Sequence, residues 1–525
     1  MALSHDPEGR PDAAPDTAPA IALSGISKAF GPVQANKDIA LTVERGTIHG
    51  IVGENGAGKS TLMSILYGFY QADAGEIRIG GAPVEIRTPD DAIRAGIGMV
   101  HQHFMLVQPF TVLENVILGA EDGALLRPSL AKARTLLGEL AHEYELEVDP
   151  DAIVGELAVG LQQRVEILKA LYRHADILIL DEPTGVLTPS EADHLFRILE
   201  GLKREGKTIL LITHKLREIM AITDRVSVMR RGEMVATRET AETSPAEIAE
   251  LMVGRRVLLR VDKTPAAPGK RVLALEGLRV RDADGVERLK GIDLTLRRGE
   301  ILGVAGVAGN GQSALLEVLG GIAHASAGQM SLKDEPVDIT RDAEGRERRR
   351  MGLGHVPEDR HRLGLVMPYS AWENASFGYH YRPEFQAGGG LLNRLFMRND
   401  ARAKIEKYDV RPANCDLKVA NFSGGNQQKI VIAREIESDP DVLLVGQPTR
   451  GVDIGAIEFI HKEIIALRDR GKAILLVSVE LEEILALSDR IVVMFDGRIS
   501  GERLPDETDE NDLGLLMAGI DGTGA

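Results

Sequence analysis

Along this chain, short runs of uniformly apolar residues alternate with longer runs in which apolar positions recur at helical spacing. Ile177–Leu180 and Ile209–Ile212 are strand-length and contain no polar position, which predicts buried strands. Between them SEADHLFRILEGLKREG, Ser190–Gly206, has the spacing and length of an amphipathic helix. AELMVG, Ala249–Gly254, follows Ser244-Pro245, a serine placed to cap a helix and a proline at its first position. Strands alternating with helices predict an α/β fold with a largely parallel sheet. No apolar run approaches the ~18 consecutive residues of a membrane-spanning helix.

The pattern repeats. Leu157-Ala-Val-Gly-Leu-Gln-Gln matches Phe422-Ser-Gly-Gly-Asn-Gln-Gln, Asp181-Glu-Pro-Thr matches Gly446-Gln-Pro-Thr, and Leu251-Met-Val-Gly matches Leu516-Met-Ala-Gly, each pair 265 residues apart. A constant offset across separated matches indicates duplicated domains. The Gly-rich loops beginning at Gly53 and Gly306 stand only 253 residues apart. The second copy therefore carries extra residues after its loop, and GGGLLNRLF, Gly388–Phe396, is the expected insertion. The boundaries read as a disordered tail over 1–20, a first domain over 21–257, a linker over 258–271 and a second domain over 272–520. Prolines and glycine in Asp262–Lys270 mark the linker.

Composition narrows the picture. A length of 525 residues exceeds one ordinary core, and 44% hydrophobic with 27% charged residues is globular composition. A net charge of −17 opposes nucleic acid and anionic lipid over most of the surface, so no nucleic-acid partner is expected. The single cysteine, Cys415, makes neither an internal disulfide nor a multi-thiolate metal site; it reads as a small filler residue in a reduced, cytosolic compartment. MALSHDPEGRPDAAPDTAPA, at the start, lacks an apolar stretch and carries acids and prolines, which fits neither a signal peptide nor a basic transit peptide.

Gly53-Glu-Asn-Gly-Ala-Gly-Lys59-Ser60 follows the apolar strand His49–Val52 and opens a helix-like run at Thr61. This is the P-loop pattern in its required context. Gly53, Gly56 and Gly58 let backbone N–H groups across Glu54, Asn55, Ala57 and Thr61 turn toward phosphate oxygens. The helix N-terminus adds partial positive charge, Lys59 reaches the β- and γ-phosphates, and the Ser60 hydroxyl ligates Mg²⁺. Further on, a buried strand runs into Asp181-Glu182-Pro-Thr184 and delivers two carboxylates at its end. Asp181 is placed to hold Mg²⁺ and Glu182 to orient or deprotonate the attacking water.

These motifs, the LAVGLQQ and FSGGNQQ segments and Thr213-His214 after a strand resemble the full motif set of ABC-transporter ATPases, from about residue 20 to 519. The resemblance implies two tandem P-loop NTPase domains, each with a mainly parallel sheet core, a small antiparallel β subdomain and a helical signature subdomain. It implies ATP and Mg²⁺ as cofactors. It makes Gln102 a Mg²⁺- and water-sensing residue that faces a membrane partner, and His214 a γ-phosphate contact. Phe30 becomes an adenine-stacking aromatic, with a strand-end core residue as the open alternative.

The resemblance also implies that each ATP lies between the P-loop of one domain and the signature of the other. Site one then joins Lys59, Ser60, Gln102, Asp181, Glu182 and His214 to Ser423, Gly424, Gly425 and Asp453, with every chemical role filled. Site two has Gly306, Gly309 and Gly311, but Gln312 stands in the lysine position beside Ser313. Glu358 replaces the glutamine, Gly446 and Gln447 the two carboxylates, and Val479 the histidine. Its signature, Leu157-Ala158-Val159-Gly160, lacks the serine, and Thr188 stands where Asp453 does in the other copy. One lost electrostatic contact costs ~3 kcal/mol of transition-state stabilisation, so hydrolysis is expected at site one alone. Two readings of site two stay open: silent nucleotide binding, or a structural mate.

Fused ATPases with a degenerate second half resemble monosaccharide and nucleoside importers. Val107–Asn115, Pro357–Val366 and Gln447–Asp453 are most similar to the nucleoside branch, with a monosaccharide importer as the alternative. The resemblance implies two transmembrane permease subunits docked through the segments after Gln102 and Glu358. Trp372 and Glu373 lie near that surface, although Trp372 also reads as a core aromatic. It further implies a substrate-binding lipoprotein or periplasmic protein as an indirect partner, and a peripheral place on the cytoplasmic face of the inner membrane, held through partners and needing no membrane affinity of its own. A soluble tandem ATPase acting on ribosomes or DNA, or an ATP sensor, is the rival class. The short connector, stripped second site, single cysteine and negative charge oppose the first of these.

Overall fold

The computed structural model describes residues 18–520 except 32, 102–104, 121–125, 145, 158, 185, 186, 188, 214, 257–262, 283, 308, 341–344 and 453. Two compact units divide the chain, Met1–Val257 and Leu258–Ala525. Residues 1–17 of the expected tail lie outside the described residues; Ala20 is already buried.

The described residues of unit 1 form ten strands: β1 (Ile21–Phe30), β2 (Val33–Val43), β3 (Ile48–Gly53), β4 (Ala74–Ile79), β5 (Ala82–Pro83), β6 (Ile97–Val100), β7 (Ile177–Asp181), β8 (Thr208–Ile212), β9 (Arg225–Arg230) and β10 (Glu233–Glu239). They form an antiparallel sheet, β2-β1-β4-β5, and a six-stranded sheet, β10-β9-β3-β8-β7-β6. In the latter all neighbours are parallel except β10 on β9. Strands β3, β7 and β8 are buried at every position, which explains their unbroken apolar runs: both faces of this sheet are covered. One face shares a core with the antiparallel sheet and the helix Lys59–Leu66. The other packs on helices Val112–Ile117, Leu126–Glu143 and Val159–Tyr172.

Unit 2 repeats the plan. Its strands are β11 (Arg271–Arg281), β12 (Glu287–Arg297), β13 (Ile301–Ala305), β14 (Ala327–Leu332), β15 (Glu335–Val337), β16 (Leu353–Val356), β17 (Val442–Gly446), β18 (Ala473–Ser478), β19 (Arg490–Phe495) and β20 (Arg498–Arg503). The sheets run β12-β11-β14-β15 and β16-β17-β18-β13-β19-β20, the orders of unit 1 strand for strand. Ser244 caps the helix Pro245–Val253 by accepting from Glu247 N–H at 3.2 Å. Cys415 is buried in the helical core. Among the described residues, no helix is long and apolar enough to cross a membrane.

Candidate functional site

In both units the Gly-rich loop leaves a central strand of the parallel sheet at its C-terminal end, where this architecture gathers its ligand groups. The loop of unit 1 is closed by contacts that only glycine permits. A Cβ on Gly53 would lie 2.3 Å from Met229 O, and one on Gly58 would lie 2.2 Å from Ala35 O. Gly58 has φ of 100°, the left-handed region. Buried Asn36 on β2 donates its side-chain amide to Gly58 O at 3.0 Å, pinning the loop to the antiparallel sheet. The helix Lys59–Leu66 has neither a side-chain cap nor an acid in its first turn, so its first N–H groups present uncompensated partial positive charge.

Lys59 is buried and donates its ammonium to Gly53 O at 2.7 Å and Glu54 O at 3.1 Å. Burial pushes its pKa down, while Glu182, Asp181 and Glu54 pull it up. Asp181, at the end of β7, is raised to about 6 by burial and then by Glu182, against the lowering influence of Lys59 and a hydrogen bond from Ser60. Glu182 follows with φ of 48°, its N–H held by Ile212 O at 2.8 Å. A cation, a hydroxyl and two carboxylates thus converge beside a loop of inward amides. The Ser60–Asp181 pair is a set of hard oxygen donors that fits Mg²⁺, and the loop fits phosphate.

Unit 2 keeps the backbone and changes the chemistry. Gly309 and Gly311 have φ of 94° and 104°, and Gln447 repeats the left-handed turn of Glu182 with φ of 47° and its N–H on Val477 O at 2.8 Å. Gln312 is buried like Lys59, its amide nitrogen packed where a Cβ on Gly306 would be, 2.0 Å away. The Gln447 side-chain oxygen accepts from Val479 N–H at 3.3 Å. Ser313 donates to the Glu358 carboxylate, and a Cβ on Gly446 would meet Glu358 Cγ at 2.6 Å and Leu316 Cδ1 at 2.8 Å. The strand-end carboxylate is absent, as the sequence shows, but Glu358 fills its space and brings a carboxylate to the P-loop serine from the neighbouring loop. Position 446 carries no carboxylate, as the sequence reads; the Glu358 carboxylate on Ser313 is what the structure adds.

Ser423 is exposed at the N-cap position of the helix Gly424–Ile436 and accepts from Asn426 Nδ2 at 2.8 Å instead of capping the backbone with its side chain. Gln102, His214 and Asp453, together with Ala158 and Thr188, lie outside the described residues. Phe30 belongs to no core cluster of the described residues; it is 43% exposed, edge-to-face with Tyr70 at 5.2 Å and with Lys28 over its ring. Trp372 is half-buried against the helical core, with Arg398 over its ring at 5.1 Å, and Glu373 completes a capping box with Ser370.

Sequence reasoning assigned no role to three groups. Asn36 locks the loop. Gln163 donates to Pro183 O at 2.8 Å, joining the helix Val159–Tyr172 to the carboxylate turn. Arg360 donates to Arg450 O at 2.9 Å while its guanidinium packs on Gly424. Asn36 lies in no motif, while Gln163 ends the repeated segment at Leu157 and Arg360 lies in Pro357–Val366; each acts through residues distant in the chain.

Known proteins share these features. A family model described as ABC transporter matches residues 36–185 and 289–450. The chain is 48% identical over 499 residues to the guanosine import ATP-binding protein NupO of Bacillus subtilis, covering 95% of this chain and 97% of that one. It is 47% identical over 499 residues to the nucleoside import ATP-binding protein NupA of Lactococcus lactis, covering 95% and 98%. Similarity to the glucose import ATP-binding protein TsgD13 of Haloferax volcanii is also 47%, covering 95% and 96%.

Proposed function

This chain belongs to the ABC transporter family as an ATP-hydrolysing import subunit, and from that premise we propose that unit 1 carries its one hydrolytic P-loop while unit 2 carries a silent one. The observation that carries the reading is the contrast between two superposable loops. In unit 1, Lys59, Ser60, Asp181 and Glu182 converge; in unit 2 the corresponding positions are Gln312, Ser313, Gly446 and Gln447.

Each group of unit 1 has a task that its placement supports. The loop amides and helix N-terminus hold the phosphates, and Lys59 neutralises charge at the bond that breaks. Ser60 and Asp181 would hold Mg²⁺, which would supply positive charge to neutralise the phosphates. Glu182, one residue beyond the strand end and fixed by its backbone bond to β8, orients the attacking water and takes its proton. By the family resemblance, Gln102 senses Mg²⁺ and the attacking water and His214 contacts the γ-phosphate.

The cargo is a nucleoside, passed through two permease subunits from a substrate-binding lipoprotein or periplasmic protein, with this chain on the cytoplasmic face of the inner membrane. Identities of 48% and 47% to guanosine and nucleoside importers support that choice, and the equal 47% to a glucose importer supports a monosaccharide as the second reading.

The test complements a strain lacking this chain with wild type or Glu182→Gln and follows uptake of labelled nucleosides and sugars. Nucleoside uptake restored by wild type alone is the expected result, and sugar uptake moves the cargo while keeping the mechanism. In purified protein Glu182→Gln retains ATP and loses steady-state phosphate release; residual turnover above about a tenth of wild type, ~1.4 kcal/mol of barrier, removes Glu182 from this role.

A further inference from the structure

In unit 2 the segment Gly388–Phe396 builds an apolar tip with arginines around it. Gly388, Gly389 and Gly390 all have positive φ, 83°, 59° and 78°. They turn the chain so that Ala387 N–H donates to Leu391 O and Asn393 N–H to Phe385 O, both at 2.8 Å. The turn runs into the helix Arg394–Lys407, whose first turn is capped by Asn393 accepting from Phe396 N–H at 3.1 Å. Leu391 and Leu395 are each 70% exposed, the most exposed large apolar side chains among the described residues; Leu392 and Phe396 are exposed beside them. Phe396 rests edge-to-face on buried Phe385 at 5.3 Å, so the leucines are held out on a packed base.

The surroundings are basic in a chain of net charge −17. Over residues 377–402 four arginines stand against two acids, Glu384 and Asp400; Asp400 is paired with Lys404 at 2.5 Å and Arg398 with Asp416 at 2.8 Å. Arg394 and Arg402 are exposed on the helix that carries Leu395. Exposed Arg346 and Arg350 each lie 5.1 Å over the Tyr381 ring, and Tyr381 O accepts from Gln386 at the base of the turn.

We propose that this surface docks directly on anionic phospholipid, with Leu391 and Leu395 entering the boundary between headgroups and acyl chains while the arginines pair with phosphate headgroups. Apolar tips flanked by cations are the chemistry that lipid interfaces select, and this patch carries exposed arginines in a chain of net charge −17. The import reading needs membrane contact only through permeases, so this inference goes beyond it.

Co-flotation of the full-length protein, without nucleotide, on phosphatidylcholine vesicles with and without a quarter phosphatidylglycerol tests it. Wild type should float with the anionic vesicles at least fivefold more than with neutral ones. Leu391→Ser with Leu395→Ser, and separately Arg394→Glu with Arg402→Glu, should each remove at least four-fifths of that binding at unchanged thermal melting and ATPase. Equal flotation of wild type on both vesicles, or full binding by either variant pair, overturns the proposal. So does loss by the leucine pair of capture on detergent-solubilised permease when wild type ignores vesicles, which makes the surface a protein dock. Flotation needs neither nucleotide nor cargo, so it fails or succeeds independently of the import reading.

Discussion

Gly446 and Glu358 have exchanged volume. At the end of β7 unit 1 has Asp181 bonded to Ser60; at the end of β17 unit 2 has no side chain, and Glu358 fills the gap and bonds Ser313. An aspartate returned to position 446 therefore meets a methylene and a second negative charge. Gly446→Asp should destabilise unit 2 by about 1–3 kcal/mol, the usual penalty of overpacking, and Glu358→Ala in the same chain should recover at least about 1 kcal/mol of it. Trp372, the single tryptophan, lies in unit 2 and reports the transition in urea; equal losses in the single and double variants would dissociate the two positions. Gln447 offers an amide to Val479 N–H rather than a carboxylate to water. Gln447→Ala should hold steady-state hydrolysis within about twofold, under half a kcal/mol of barrier, and a larger fall in phosphate release would make unit 2 catalytic.

Between β16 and the helix Ala371–Ser376, one loop organises most of the site face of unit 2. Glu358 reaches the P-loop serine, and Asp359 accepts from His361 and Arg362 N–H to start the π-helical turn Arg360–Gly364. Arg360 holds Arg450 O, His361 Nε2 pairs with Gln427 at 2.8 Å, and Gly364 O accepts from buried Arg434 at 2.8 Å. The signature helix and the Thr449–Gly451 turn are thus set by side chains of this loop. Arg360→Ala removes the guanidinium that bridges them. Amide hydrogen exchange at Gly424–Lys429 and Thr449–Val452 should rise at least tenfold, ~1.4 kcal/mol of local opening, while the strands of the sheet keep their protection. Unchanged exchange in both segments would leave Arg360 a bystander.

At the scale of the molecule, each unit buries a neutral histidine in its sheet. Burial holds His49 at about 4, helped by Arg225, with its Nε2 on Ser227 Oγ at 2.8 Å. Burial also holds His355 at about 4, with Glu435 opposing and Arg349 and Arg434 reinforcing the shift. Unfolded histidine takes its proton near pH 6.5, so between 6.5 and 4 the unfolded state binds the extra proton, and stability present above 6.5 is lost as pH falls. Each residue should remove roughly 2 kcal/mol between pH 7 and 5. Urea midpoints at the two pH values check this, and His49→Gln and His355→Gln should flatten the dependence one unit at a time. What the sequence by itself determined follows from local rules. Apolar runs with no polar break specify strands buried on both faces, glycines at loop positions specify left-handed turns, and the repeat specifies two copies, because these signals lie within a few residues or recur at a constant offset. Local order also made the loss of Lys59, Asp181 and Glu182 chemistry from the second copy legible at once. Only tertiary structure decided that Glu358 fills the space of a missing carboxylate, that Asn36 and Arg360 lock loops distant in the chain, and that Leu391 and Leu395 stand exposed. Those outcomes depend on which atoms share a volume, and spacing along a chain carries no record of volume.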